Sequence, residues 1–214
     1  NAVKYVSSGA FSKLAEQLAH PGLTIPWLLS SRGVPAAITA LLLPLKDAGS
    51  LGPQLFLAAE VRNRPRRNRL WAAAAIVQAG LLLLMAVALL LLPPLWAGVT
   101  VAALFLAFGV SSGVGSLSFK DTLGKTVPKP RRGTLLGLRA SIGGAAALVA
   151  GFLLAGLGGA EAQARAFLFL LVIAAALWVV SGMFFRAIRE QPGATGGARR
   201  PVKVVREALE LFRE

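Results

Sequence analysis

The sequence has no cysteine and a single histidine, His20. The first absence excludes a disulfide framework and a cysteine metal site, and the second excludes any multi-histidine centre within one chain. Acidic residues are scarce, 9 against 23 Lys and Arg, which leaves a net charge of +14. Charged residues of either sign make up only 15% of the chain, against about a quarter in soluble domains. The first twenty residues lack the charged start, apolar run and cleavage site of a signal peptide. The chain opens on Asn1 rather than methionine, and both ends are expected to be fragment boundaries.

In place of charge there is apolar length. Hydrophobic residues make up 56% of the chain, and neither Leu70 to Trp96 nor Ala166 to Phe185 contains a charge. A bilayer core about 30 Å thick takes roughly 20 helical residues at 1.5 Å each, and both runs suffice. Their Leu and Ala content favours helix over barrel strand. The basic residues fall in short clusters between these runs and show no aromatic-studded face. Membrane topology and anionic lipid explain such clusters better than nucleic acid does, and no nucleic-acid partner is expected.

The expected fold is an all-α membrane helix bundle over residues 1–187, with about six transmembrane spans and both ends cytoplasmic. Spans are expected near 70–92, 95–118, 134–158 and 163–185, with a tight turn at Pro93-Pro94. Trp71 and Trp96 sit at span ends, where indole rings favour the interface. Within the first sixty residues, Ser30-Ser31-Arg32-Gly33 marks a turn. It divides them into spans near 5–29 and 35–60, each long enough to cross with some tilt.

Topology follows from the basic loops. Arg62, Arg64, Arg66, Arg67 and Arg69 follow span two, and Lys120, Lys125, Lys129, Arg131 and Arg132 follow span four. Arg186, Arg189, Arg199, Arg200, Lys203, Arg206 and Arg213 follow span six. The opposite loops hold only Arg32 and Arg165. Positive loops stay inside, so even-numbered spans are expected to end in the cytoplasm. Residues 188–214 read as a basic cytoplasmic linker. Its Pro192–Gly197 part is flexible, and Val202, Val205, Leu209 and Phe212 form an apolar face that suits either a membrane surface or an ordinary linker helix.

Polar residues inside spans carry functional weight, because a charge at the centre of a membrane helix costs about 2.5–3.5 kcal/mol on insertion scales. Lys13, Glu16, Gln17, His20 and Thr24 share one face of span one, with Phe11, Leu14 and Leu18 opposite. Span two carries Lys46, Asp47, Ser50 and Gln54. The working expectation is a water-accessible pathway between these helices, with Glu16 and Asp47 as proton or cation sites. Lys13, Lys46 and His20 would bind an anionic group or pair with those acids. The same residues also read as a structural ion pair, or span one as a surface helix. In span five, Gly143, Ala147, Gly151, Ala155 and Gly159 recur every four residues and suit close helix packing. Gly109, Ser112, Gly113 and Ser116 give span four a shorter version.

Two catalytic motifs fail on context. Gly109-Val110-Ser111-Ser112-Gly113 has the spacing of a nucleophile elbow but lies inside an apolar helix instead of a strand-to-helix turn. Gly124-Lys125-Thr126 lacks the glycine five residues earlier, where Phe119 stands, that a phosphate-binding loop requires. No enzymatic activity is expected.

The layout resembles the amino-terminal half of a major facilitator superfamily transporter. Arg62-Asn63-Arg64-Pro65-Arg66-Arg67 is similar to that family's basic loop between spans two and three. Asp121 to Gly133, followed by Leu136-Gly137, resembles the stretch joining spans four and five. The resemblance covers nearly the whole chain. It implies alternating-access movement of a small solute, with or without a coupling proton or cation, across a bacterial inner membrane. It also implies a second six-helix half as partner, a cavity lined by spans one and four, and a cytoplasmic gating contact involving Arg62, Arg66, Arg67 and Asp121. The family's loop aspartate is missing, span four has no intramembrane arginine and span five no Gly-Pro pair, so the coupling mode stays open. The alternative is a self-contained six-helix assembly or binding protein.

Overall fold

The computed structural model describes residues 2–22, 24–155 and 160–190. The expected small-residue position Gly159 and the linker beyond Glu190, with its amphipathic Val202–Glu214 face, lie outside the described residues. Among the described residues the chain is entirely helical. The helices are α1 (Ala2–Leu18), α2 (Thr24–Ser31), α3 (Ala36–Asn63), α4 (Arg67–Leu91), α5 (Pro94–Thr126), α6 (Lys129–Ala155) and α7 (Ala160–Arg186).

Proline sets most boundaries, because the residue before it is pushed out of the helical region. Arg64, Leu92 and Val127 are extended and precede Pro65, Pro93 and Pro128. Pro94 opens α5, where its missing N–H would have had no partner anyway. Glycine makes the α2–α3 turn. Gly33 has φ +78°, its N–H donates to Ser30 O (3.0 Å), and the Val34 N–H donates to Leu29 O (3.0 Å). This is a Schellman closure, with buried Val34 supplying its apolar contact.

Residues 5–29, read from sequence as one continuous span, are two helices. Pro21-Gly22 follows the end of α1, and Pro26 sits in the first turn of α2. Local bonds take up some of the freed backbone groups: Ile25 N–H donates to His20 O (3.3 Å) and Gly22 N–H to His20 Nδ1 (3.0 Å). At the other end of the molecule α5 is 33 residues long, about 50 Å. Its last two turns therefore project past a membrane core of about 30 Å. Lys120, Asp121 and Lys125, expected in a loop, lie on that extension, and only Val127 and Pro128 separate it from α6.

Three helical segments are long and apolar enough to cross a bilayer: α4, α5 and Ala164–Arg186 of α7. Their outward surfaces carry large exposed apolar side chains, including Leu84, Leu90, Leu91, Leu95, Val99, Phe169 and Met183. Their inward surfaces bury Gln78, Ser111, Ser118, Thr122 and Ser181. Apolar outside with small and polar groups between helices is the pattern of an integral membrane protein. The helices pack as a series, α6–α1–α7–α4–α5–α3, with α2 against α3 and α7. α3 and α6, at the two ends of that series, make no extensive contact with each other.

Two close crossings fix this arrangement. On α3 and α5, Gly49 and Gly109 face each other, and a Cβ on Gly113 would stand 2.6 Å from Ser50 O. On α1 and α6, a Cβ on Gly143 would stand 2.5 Å from Lys13 Cβ. Farther along the α6 stripe, Ala147 is half-buried, while Gly151 is exposed with nothing within 4 Å of its Cβ position. Ala155 ends the described part of α6. Trp96 is exposed, as an interfacial indole would be. Trp71 differs from that expectation: it is buried, stacked on Phe185 with centroids 4.3 Å apart. The Phe185 ring also meets Tyr5 and Phe119, so one aromatic cluster joins α1, α4, α5 and α7.

Candidate functional site

A cavity of about 170 Å³ lies among α1, α4, α5, α6 and α7. Lys13 and Glu16 reach it from α1, Arg139 from α6, and Ser112, Ser116 and Lys120 from α5. Trp71 and Gln78 of α4 and Trp178 of α7 complete its polar and aromatic wall. Its lining comes from the last two turns of α1, the first half of α4 and of α6, and the later parts of α5 and α7.

Glu16 is the hub. Its Oε2 accepts from Lys13 Nζ at 2.7 Å, one turn away on α1, and its Oε1 lies 3.8 Å from Lys46 Nζ on α3. The Glu16–Lys46 pair thereby links α1 to the helix at the far end of the packing series. Arg139 lies across from them. Its Nη2 donates to Ser12 Oγ (3.2 Å), and its guanidinium sits 4.5 Å over the Phe119 ring. Cation–π contact of this kind stabilises a charge withdrawn from water.

Of the polar residues singled out in spans one and two, Lys13, Glu16 and Lys46 come together here. His20 follows the end of α1, half-buried, with its Nδ1 engaged by Gly22. Gln17 and Asp47 are exposed, and Asp47 makes no ion pair among the described residues. Gln54 Nε2 donates to Ser50 Oγ (3.4 Å) along α3. Arg139 was not singled out from sequence. Its signal was present, a lone arginine within the apolar stretch 134–158, to which the cost of a membrane charge applies equally. Gln78 and Trp178 gave no such signal, since either type is ordinary in a buried helix.

A second cluster lies at the same end of the bundle, on the projecting turns. Arg67 Nη1 is paired with Asp121 Oδ2, and Lys125 Nζ reaches the same oxygen at 2.9 Å and Glu190 Oε1 at 3.3 Å. Glu190 Oε2 in turn accepts from Asn68 N–H (2.8 Å), placing an acid at the amino-terminal turn of α4. That position complements the helix dipole. Asn68 Nδ2 donates to Arg186 O (3.1 Å) and Ile188 O (3.0 Å), and Arg67 Nε to Val61 O (3.1 Å). The cluster thus ties together the ends of α3, α4, α5 and α7. Burial alone would raise the Asp121 pKa. Hydrogen bonds and charge from Lys125 and Arg67 outweigh it and hold this carboxyl below its ordinary 3.8. Arg66 is exposed beside this cluster, and the Arg62 side chain lies outside the described residues.

The other motifs have structural partners. Ser111 is buried and donates to Ala74 O (3.0 Å), joining α5 to α4. Gly124-Lys125-Thr126 is the last turn of α5, with Thr126 Oγ1 hydrogen-bonded to Tyr5 Oη at 2.8 Å. Among the described residues no group of three His, Asp or Glu side chains could hold a metal.

No family model, curated protein or solved structure matches this chain.

Proposed function

We propose that the chain is one six-helix half of a secondary transporter of the major facilitator type, moving a small solute by alternating access. The observation that carries this reading is the charged cavity built around Glu16, Lys13, Lys46 and Arg139. Charges are held within apolar helices only where they pair or face water, and such groups mark solute and ion pathways. The interruption of the first span beside this cavity adds support, because broken helices recur at the midplane sites of transporters. In this reading α1 with α2 forms the first span and α3 to α7 the other five. Both ends lie in the cytoplasm, by the positive loops, and the membrane is a bacterial inner membrane. The separated ends of the packing series, α3 and α6, flank the face on which a second half would dock. The Arg67–Asp121–Lys125–Glu190 cluster would then bind cytoplasmic helix ends in one of the two access states.

The test is solute flux in proteoliposomes, using protein expressed from the complete reading frame and its Glu16→Gln variant. Flux of at least one solute, lost in Glu16→Gln with insertion retained, is the expected result. Absence of flux across a broad solute panel would count against transport. It would leave the self-contained assembly or binding protein as the leading alternative.

A further inference from the structure

The wall of the cavity is unbalanced in two independent ways. The first is charge. Lys13, Lys120 and Arg139 line it, while Glu16 is the only acid among the described lining residues. Glu16 already has Lys13 at 2.7 Å and Lys46 at 3.8 Å, so its single negative charge is shared between two ammonium groups. Arg139 has no ion pair among the described residues: its hydrogen bond goes to the Ser12 hydroxyl, its guanidinium lies over the Phe119 ring, and Glu16 acts on it only from farther off.

The second is hydrogen bonding. Three buried donors on the lining residues have no acceptor among the described residues: Arg139 Nε, Gln78 Nε2 and Trp178 Nε1. Gln78 and Trp178 are 3% and 8% exposed, so bulk water does not satisfy them. A buried donor without an acceptor loses its hydration with nothing in return, and such groups are rarely left so without a function. An indole N–H and a guanidinium N–H are donors only, whatever their rotamer. They belong to residues of three different helices that all line this cavity, and a small turn of each side chain is what would bring its N–H onto a ligand there. A neutral or cationic solute would leave the excess charge in place, and a cation would add to it.

We propose that this cavity binds an oxyanion, the carboxylate, phosphate or sulfate group of a small solute, with Arg139, Gln78 and Trp178 as its donors and Lys13 and Lys120 supplying charge. Glu16, already paired with Lys13 and Lys46, repels this ligand and competes with it for the charge of Lys13. The inference rests on the cavity described above and specifies the class of solute that the proposed transport would move. Its volume of about 170 Å³ suits a single small anion rather than a nucleotide or lipid.

Protein expressed from the complete reading frame and purified in detergent is titrated with inorganic phosphate, sulfate and succinate, and with choline as the cationic control, following tryptophan fluorescence. At least one anion is expected to give a saturable change that Trp178→Phe diminishes and choline does not produce. Arg139→Gln is expected to weaken binding tenfold or more, with Arg139→Lys recovering part of it. Glu16→Gln is expected to tighten binding severalfold. This last variant keeps the test decisive if circular dichroism shows that Arg139→Gln fails to fold. No response to any of the three anions, an equal response to choline, or weaker anion binding in Glu16→Gln would overturn the proposal. If anions bind and no flux is found, transport falls and the anion site stands. If a neutral or cationic solute is carried and no anion binds, this inference falls and transport stands.

Discussion

Replacing Gly109 with alanine tests the packing that holds α3 in place. The added Cβ would overlap the carbonyl oxygen of Lys46 and lie 3.1 Å from Gly49 Cα. Both obstacles are backbone, so no rotamer change relieves them and the two helices must part, by about 1 Å to restore ordinary contact. Overpacking of this kind costs typically about 1–3 kcal/mol, and a rigid obstacle argues for the upper part of that range. The same displacement carries Lys46 away from Glu16, where 3.8 Å already marks a loose pair. Gly80→Ala is the matched control, on α4, where an added Cβ meets nothing within 4 Å. Unfolding in mixed micelles, followed by circular dichroism, should place Gly109→Ala about 2–3 kcal/mol below the parent chain and Gly80→Ala within about 0.5 kcal/mol of it. Because Gly49 and Gly109 obstruct each other, the double variant should cost less than the sum of the two singles. Equal stability of Gly109→Ala and Gly80→Ala would refute the close crossing.

Four further outcomes follow. Gly33→Ala should lower stability by about 1–2 kcal/mol through backbone strain alone, since its φ is +78° and nothing lies near its Cβ position; chemical denaturation measures this. Ser181→Ala removes the donor to Ser8 O (2.6 Å) at a buried α1–α7 contact and should cost about 1 kcal/mol in the same assay. Asp121→Ala leaves buried Arg67 without its carboxylate and should cost about 1.5–3 kcal/mol, with faster proteolysis around Pro65 as a second readout. Because the folded-state pKa of Asp121 is depressed below 3.8, its contribution is present above that pH and is lost as pH falls below it. The acid limb of a stability–pH curve should therefore flatten in Asp121→Asn.

Proline and glycine made much of this fold legible in the sequence. Pro65, Pro93 and Pro128 each force one extended residue before them and so end a helix two residues earlier, and Gly33 closes the α2–α3 turn with the positive φ that turn requires. The break after α1 carried the same kind of signal in Pro21-Gly22. The apolar residues on both sides outweighed it in a reading based on hydropathy alone. The extension of α5 was hidden for the opposite reason. Its charges suggest a loop, but Asp121 and Lys125 form an i,i+4 pair that favours helix beyond the membrane. At the site, spacing identified Lys13, Glu16 and Lys46 because a face of polar residues on an apolar helix is unusual. Spacing does not reveal which helices later meet. The convergence of Arg139, Gln78 and Trp178 is therefore a tertiary fact, as is the burial of Trp71 under Phe185. The stripe Gly143, Ala147, Gly151 is regular in sequence, but only the partner helix decides how much of it is used. Gly143 meets Lys13, and the Cβ position of Gly151 meets nothing within 4 Å.

The central claim is that water reaches a charged cavity inside a membrane bundle, and the absence of cysteine from these 214 residues makes it directly testable. Ser112→Cys and Ser116→Cys place a thiol on the cavity wall, and Phe169→Cys places one on the apolar outer surface of α7. Each is exposed to a membrane-impermeant thiol reagent in inverted and in right-side-out vesicles. The account predicts fast labelling of Ser112→Cys and Ser116→Cys in inverted vesicles, where the reagent meets the ends that the proposed topology puts in the cytoplasm, and almost none of Phe169→Cys. Cavity positions that stay unlabelled in both orientations, or that react no faster than Phe169→Cys, would contradict it.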